Sequence, residues 1–514
     1  MQLRHNRLSP SVTYATTALL GLLFAIVLVL GLPTQSAQAA TCTDSLQAKI
    51  DAAPSGGTVT ANPCIYRQEV VINKPITLQG QPGSEIRGSD VWTGWRQSGS
   101  VYVSTKTVPS LPASGNCEPG YDCLKPEQVF LNGAPLRQVA NGTTPSTGQF
   151  SLDSTRHVIL RDNPSGKTVE VSVRRKWISG AASNVTIKGF IMKHAANDSA
   201  GWAALRNSGY ANWTLQDSSL SHTHGSLVAF GGASGLKLLR NRMDMAGHMA
   251  ITSNNAALTV SDNNISQSNA SHFDPIWTAG AVRTVKMQSV LVENNEVHHN
   301  GGNGIWCDGD CYNAIYRGNR VHHNAWCGIL FEISHGAKIY DNVLYENGWG
   351  RRDPSGGSWQ AAIHITNSRN AEIYNNTLAW NKGNISVTRS NRGSTLYNDV
   401  YGNYVHDNSI LSKDYASSLA YNAGGRTHAL AWVDKWDGKL YASGKNNRGF
   451  SNDYYFATSE NSTIPRFMWG GLGNAITSLS TFNATPGEEQ GRYMSQSEKD
   501  ALIKSKGIPA LPEH

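Results

Sequence analysis

The sequence predicts an all-β solenoid, and three observations predict it. The 514 residues include 50 glycines and only 16% charged side chains, a balance that favours many short strands and turns over helices. Short segments of one form recur: LKLLRNRM, LTVSDNNI, VLVENNEV, AIYRGNRV, KIYDNVL and EIYNNTL. Their turn asparagines read Asn241, Asn264, Asn295, Asn319, Asn342 and Asn376, spaced 23, 31, 24, 23 and 34 residues apart. Each unit holds alternating strands and Gly/Asn turns, with no helical run. A period in the low twenties made only of strand and turn marks coils stacked along one axis. Leucine-rich repeats share the period but require an L-x-x-L-x-L pattern that is absent.

The asparagine-bearing turns resemble the right-handed parallel β-helix of the pectate-lyase-like superfamily. In chain order, residues 1–39 read as a secretory signal: basic MQLRHNR, an apolar run over 18–32, and the cleavage-like SAQAA. The expectation is a secreted protein with no membrane attachment after cleavage. Residues 40–95 read as a cap and the first coils. There the helical SLQAKIDAA (45–53) covers the open end, as solenoids require, before GGTVTANPCIYRQEVVINKPITLQGQ. Residues 96–177 lose the period, and VFLNGAPLRQV, GQFSLD and VEVSVRR look like strands of a small inserted β unit. Residues 178–430 form the parallel β-helix with its cleft; 431–514 read as an irregular C-terminal tail ending in a closing helix over 495–507.

Net charge is +7 without any Lys/Arg run, which permits an acidic substrate and argues against nucleic acid. Seven cysteines in a secreted chain should pair in part. Proximity suggests Cys42–Cys64, Cys117–Cys123 and Cys307–Cys311, with Cys327 left over. The absence of C-x-x-C argues against a structural zinc site.

Aligning the units on Gly280, Gly304, Gly328 and Ala362 gives the strands GAVRTVK, GIWCDGD, GILFEIS and AIHITNS. Side chains alternate across a strand. Ile305, Ile329 and Ile363, with Cys307, Phe331 and Ile365, suit the interior. The outward set becomes Val282, Thr284, Lys286; Trp306, Asp308, Asp310; Leu330, Glu332, Ser334; and His364, Thr366, Ser368. Asp308 and Glu332 thus share an outward column on adjacent rungs, roughly 4.8 Å apart along the axis. Retaining glycosidases separate their two carboxyls by about 5–5.5 Å. Carboxylates this close do not both ionise readily, so one should hold its proton near neutral pH. The two long intervals place insertions at 266–280 and 346–360, before aligned strands. Trp277, Trp306, Trp349 and Trp359 would supply sugar-stacking walls.

WCD followed one coil later by EISHG resembles glycoside hydrolase family 120, β-xylosidases on a β-helix, over about thirty residues. The resemblance implies that Asp308 is the nucleophile and Glu332 the acid/base of a retaining glycosidase on a plant or microbial polysaccharide or oligosaccharide. His335 follows the acid/base in the matched motif and either orients it or simply ends the strand. Trp306, Lys286, Thr284, His364, His335 and Trp277 are the candidate substrate contacts. No cofactor is expected, and a monomer is.

Two other readings stand beside it. A calcium-dependent polysaccharide lyase on an acidic glycan would use Asp308, Asp310 and Glu332 as oxygen ligands and Lys286 or Arg283 as base. A non-catalytic carbohydrate-binding β-helix would have more uniform rungs. SHFDP (271–275) resembles the D-P-H-D motif of alginate epimerases, with Ile276 and Trp277 where that motif has His-Asp. Polygalacturonase signatures are absent. Asp310 in DGD reads as a turn residue. His298/His299 and His322/His323 fall in repeat-equivalent turns and read as structural.

Overall fold

The computed structural model describes residues 40–199, 203–350, 360–393, 398–413, 428–457, 466–470 and 475–511. The expected signal segment lies outside them. The chain winds into a parallel β-helix of three long sheets, one of 12 strands and two of 13. One coil runs through Asn303–Asp308, then Tyr312–Arg317 in the 12-stranded sheet, then Arg320–His322, and returns one rung on at Ile329–Glu332. We call the sheet holding Asn303–Asp308 and Ile329–Glu332 the site sheet, and the one holding Arg320–His322 the third sheet. Inward Val, Ile, Leu and Phe side chains form one apolar column from Leu46 to Phe482.

Asparagine ladders tie the coils. In the main one, each Asn Nδ2 donates to the Oδ1 of the next coil's Asn, through Asn241, Asn263, Asn295, Asn319, Asn342, Asn376, Asn408 and Asn452. The second member is Asn263, not the expected Asn264. Asp262 takes the left-handed turn position at φ 59°, which moves the ladder one residue earlier. Asn264 opens a strand and donates to Glu296 instead. The ladder ends on buried Glu488, which accepts from Asn452 Nδ2 at 2.7 Å and the Tyr454 hydroxyl at 2.5 Å. Burial pushes this carboxyl up to about 7. A second ladder runs through Asn300, Asn324, Asn347 and Asn381.

The helix Leu46–Ala52, capped by Ser45, buries Leu46 and Ile50 against the first coil, beside the Cys42–Cys64 disulfide. Two small sheets interrupt the coil, of four and five strands, beginning at Ser89–Val91 and closing at Val169–Ser172, around their own core of Trp92, Phe150 and Leu160. The coil does not give way to an irregular tail at residue 431. Arg448–Phe450, Asp453–Phe456, Phe467–Trp469 and Arg492–Tyr493 stack on as further rungs. The last ladder interval, Asn408 to Asn452, is 44 residues, long enough to mask the period.

The helix Gln496–Lys506 does not close the end. It lies along the third sheet, where Leu502 and Ile503 pack with Tyr345, Trp380 and Leu411. Arg320 donates to the carbonyls of Lys506 and Gly507 at its C-terminus. Three disulfides form, Cys42–Cys64, Cys117–Cys123 and Cys307–Cys311, and Cys327 is a buried thiol. Among the described residues no helix is long and apolar enough to cross a membrane.

Candidate functional site

Strands Asn303–Asp308 and Ile329–Glu332 pair in parallel, with Ile305 opposite Ile329, Trp306 opposite Leu330, Cys307 opposite Phe331 and Asp308 opposite Glu332. The apolar partners at Ile305, Cys307, Ile329 and Phe331 are buried, so alternation sends Asp308 and Glu332 outward side by side. The Cys307–Cys311 disulfide brackets Asp308 and secures the turn that follows it.

Each carboxylate has its own guanidinium. Arg283, on the preceding rung, holds Asp308 at 2.5 Å, and its guanidinium lies 4.9 Å above the Trp306 ring. Arg392, from a loop 60 residues along the chain, holds Glu332 at 2.5 Å. The surroundings are unequal. The Asp308 side chain is 22% exposed and that of Glu332 only 8%. Burial pushes the Glu332 carboxyl above its ordinary range; Arg392 opposes this and the Asp308 charge adds to it. The Trp306 indole weakly favours the Glu332 anion but finds no acceptor at hydrogen-bonding distance.

The residue after Glu332 is strained. Ile333 has φ 49°, a region that β-branched residues avoid. The equivalent turns of neighbouring rungs use Asn255, Lys286, Asp310 and Asn367.

Several expected contacts lie elsewhere. The strand Gly280–Val285 is one residue out of the expected register: Val282 pairs with Ile305, Arg283 with Trp306 and Val285 with Asp308. Thr284 is therefore an inward residue, buried against Cys307, and presents no outward face. The interval at this rung is 23 residues rather than the 24 of the next, and matching glycines hid the shift. Lys286 is exposed in the turn, its N–H donating to Gly309. Trp306 is buried under Arg283 and offers no open face. His364 is fully buried, its Nε2 2.9 Å from the Thr388 hydroxyl, and desolvation lowers its pKa. His335 turns away from Glu332: it stacks on Tyr312, with Nε2 near Arg369 at 3.3 Å and Asp310 at 3.7 Å.

The two expected wall loops enter at the starting edge of the site sheet. The carboxylates stand at the finishing edge, five residues along, roughly 16 Å away. The 266–280 loop is pinned by the 114–124 segment, through a Cys117–Phe273 bridge and Tyr121 stacked on His272 at 3.7 Å. Trp277 is exposed there. The Trp349 indole donates to the Trp380 carbonyl. Trp359 lies outside the described residues. Among the described residues, the loop that reaches the carboxylates is the one after Gly383–Arg389, which carries Arg392. On the same edge Arg389 grips Asp434 and the exposed Trp436, whose ring centroid is 4.7 Å from its guanidinium. Arg392 and Trp436 were missed from sequence. The 32-residue interval from Asn376 to Asn408 is the signal that marks the Arg392 loop.

A calcium site on Asp308, Asp310 and Glu332 fits poorly. Two of the three carboxylates already face guanidinium groups that would repel a divalent cation, and Asp310 turns to His335.

A family model described as "Right handed beta helix region" matches residues 203–378. No curated protein matches the chain. Among solved structures, the complex of XylC with xylose is similar at 14% identity and a TM-score of 0.61, covering 82% of each chain. The catalytic domain of a glycoside hydrolase family 87 alpha-1,3-glucanase with tetrasaccharides is similar at 10% identity and a TM-score of 0.46, covering 84% of this chain and 68% of that one. The Azotobacter vinelandii mannuronan C-5 epimerase AlgE6 A-module is similar at 11% identity and a TM-score of 0.38, covering 88% and 94%. At these identities the likeness is one of fold: the chain is a right-handed parallel β-helix.

Proposed function

We propose that the protein is a secreted, monomeric carbohydrate-active enzyme, a retaining glycoside hydrolase on a plant or microbial polysaccharide or oligosaccharide. The observation that carries this reading is the in-register pair Asp308 and Glu332, one partly exposed beside Arg283 and one buried with its carboxyl raised. Two carboxyls whose surroundings differ in this way divide the labour of glycoside hydrolysis. Asp308, as carboxylate, attacks the anomeric carbon and forms the glycosyl–enzyme bond. Glu332 gives its proton to the departing glycosidic oxygen, and Arg392 stabilises the anion that remains. Glu332 then takes a proton from the water that attacks the intermediate. The XylC complex, which holds xylose on the same fold, supports a saccharide substrate. Three disulfides support an oxidising compartment.

The test uses aryl glycosides with a good leaving group. Glu332→Ala should accumulate a glycosyl–enzyme and recover turnover with azide, which needs no base, while Asp308→Ala stays inactive. Wild-type activity should survive EDTA. Loss of activity in EDTA, with unsaturated products and no azide rescue, would replace the hydrolase with the lyase.

A further inference from the structure

Away from the acid pair, four histidines form a two-by-two array on the outer edge of the third sheet. His298 and His322 end the strands Glu296–His298 and Arg320–His322 and pair in register. The next residues, His299 and His323, take left-handed φ values of 55° and 53°. A left-handed residue breaks the alternation of the strand, so both rings of each pair leave the same side. Within each pair the two Nδ1 atoms are 2.8 Å apart. Between rungs the rings stack, His298 on His322 at 5.0 Å and His299 on His323 at 4.6 Å.

Two carboxylates hold the outer nitrogens. His323 Nε2 lies 2.6 Å from Glu346, and His322 Nε2 3.3 Å from Glu296. A carboxylate on Nε2 claims that nitrogen's proton and leaves Nδ1 with its lone pair. In the His322/His323 pair both Nδ1 atoms are then acceptors facing each other across 2.8 Å. A cation between them removes the repulsion. Ring nitrogens of His299, His322 and His323 all lie within 4.8 Å of one another, close enough for one ion to gather with small ring movements. A purely stacking column would need none of this: the next rung continues the stack with Tyr345, 4.5 Å from His322, and no nitrogen.

We propose that His299, His322 and His323 bind one divalent transition ion of the zinc class, with Glu296 and Glu346 holding the ring tautomers. Imidazole suits such ions, and carboxylates behind the ligating rings are their usual support. The site would staple the two successive coils that lie between the 266–280 and 346–360 insertions, which leave the third sheet one rung before and one rung after the histidine turns, Glu346 being the first residue of the second insertion.

The experiment titrates Zn²⁺ into the untagged mature chain, stripped with chelator, and follows Cu²⁺ by electron paramagnetic resonance for nitrogen ligation. One saturable Zn²⁺ per chain is expected, with a raised thermal midpoint. His299→Asn and His323→Asn keep the turn, since Asn tolerates left-handed φ, and should each weaken binding at least about tenfold. Glu346→Gln leaves every ligand in place and should weaken it by about 10–100-fold. The thermal midpoints of all variants in chelator should match wild type; Glu346→Gln decides the matter if a histidine variant folds poorly. Absence of saturable Zn²⁺ binding, or stoichiometric binding unchanged in the His299→Asn/His323→Asn double variant, would overturn the proposal.

Discussion

From Arg206 to Asn254 the outward face of the site sheet carries Arg206, Ala229 and Thr252 in one column and Ser208, Gly231 and Asn254 in the next, and these line a groove. On the next three rungs the same columns carry Arg283, Trp306 and Leu330, and Val285, Asp308 and Glu332. The backbone is the same parallel ladder in both stretches. In the first, small side chains keep the face open and uncharged beyond Arg206. In the second, large and charged side chains fill it, and a loop from later in the chain brings Arg392 over Glu332. The coil therefore supplies spacing and alternation. Chemistry enters only where side-chain choice and one long loop depart from the average rung.

The comparison breaks most sharply on turnover. Asp308→Ala should lower it by about 10⁴-fold, the scale on which loss of a single reacting carboxylate registers, while Asn254→Ala in the groove should act on KM and leave kcat standing. Steady-state kinetics on one substrate separates the two, and equal losses would remove the distinction between groove and acid pair.

The ladders test the scaffold that both stretches share. Asn342 accepts from Asn319 and donates to Tyr316, Tyr340 and Asn376. Asn342→Ala leaves several buried groups unpaired and should cost about 3 kcal/mol or more in denaturant unfolding. A change below about 1 kcal/mol would mean that water replaces the amide.

The raised carboxyls give one part of the pH dependence, opposite in sign to that of the buried histidines. Glu488 sits at about 7 in the fold against an ordinary 4.5. A raised folded value means the native state holds the proton longer, so its contribution is complete below about 4.5 and is lost as pH rises through about 7. Glu488→Gln keeps an acceptor for Asn452 and Tyr454 and should flatten that decline, by about 3 kcal/mol at most. Glu332 is raised in the same direction, so Glu332→Gln should remove a further part of the slope. Unfolding free energies of wild type and variants measured from pH 4 to 8 would show both as differences between curves; a Glu488→Gln curve that stays parallel to wild type over this range contradicts the assignment.

The smallest effect is at Ile333. Ile333→Asn should stabilise the chain by about 1 kcal/mol by relieving the left-handed strain, with the shift read from the denaturation midpoint. If it also lowers kcat, the strained turn aims Glu332; if kcat is untouched, the strain is incidental to the site.

Much of this protein was legible in one sequence because a coil repeats. The twenty-odd-residue period, the turn asparagines and the small residues opening each strand announce stacked parallel strands, and alternation alone puts Asp308 beside Glu332. Local signals also sufficed for the Ser45-capped helix and for Cys42–Cys64, whose partners are 22 residues apart. The tertiary structure decided what depends on distance along the chain or on one residue of register. Matching glycines could not reveal that Thr284 turns inward, because 23 and 24 are equally good periods while one residue reverses every side chain. Nothing near Glu332 points to Arg392, 60 residues on, or near Asp308 to an arginine across a rung whose register was misread. The four histidines were visible as two pairs. That their nitrogens converge follows from two left-handed residues, His299 and His323, and from carboxylates on other strands, neither of which a local pattern encodes.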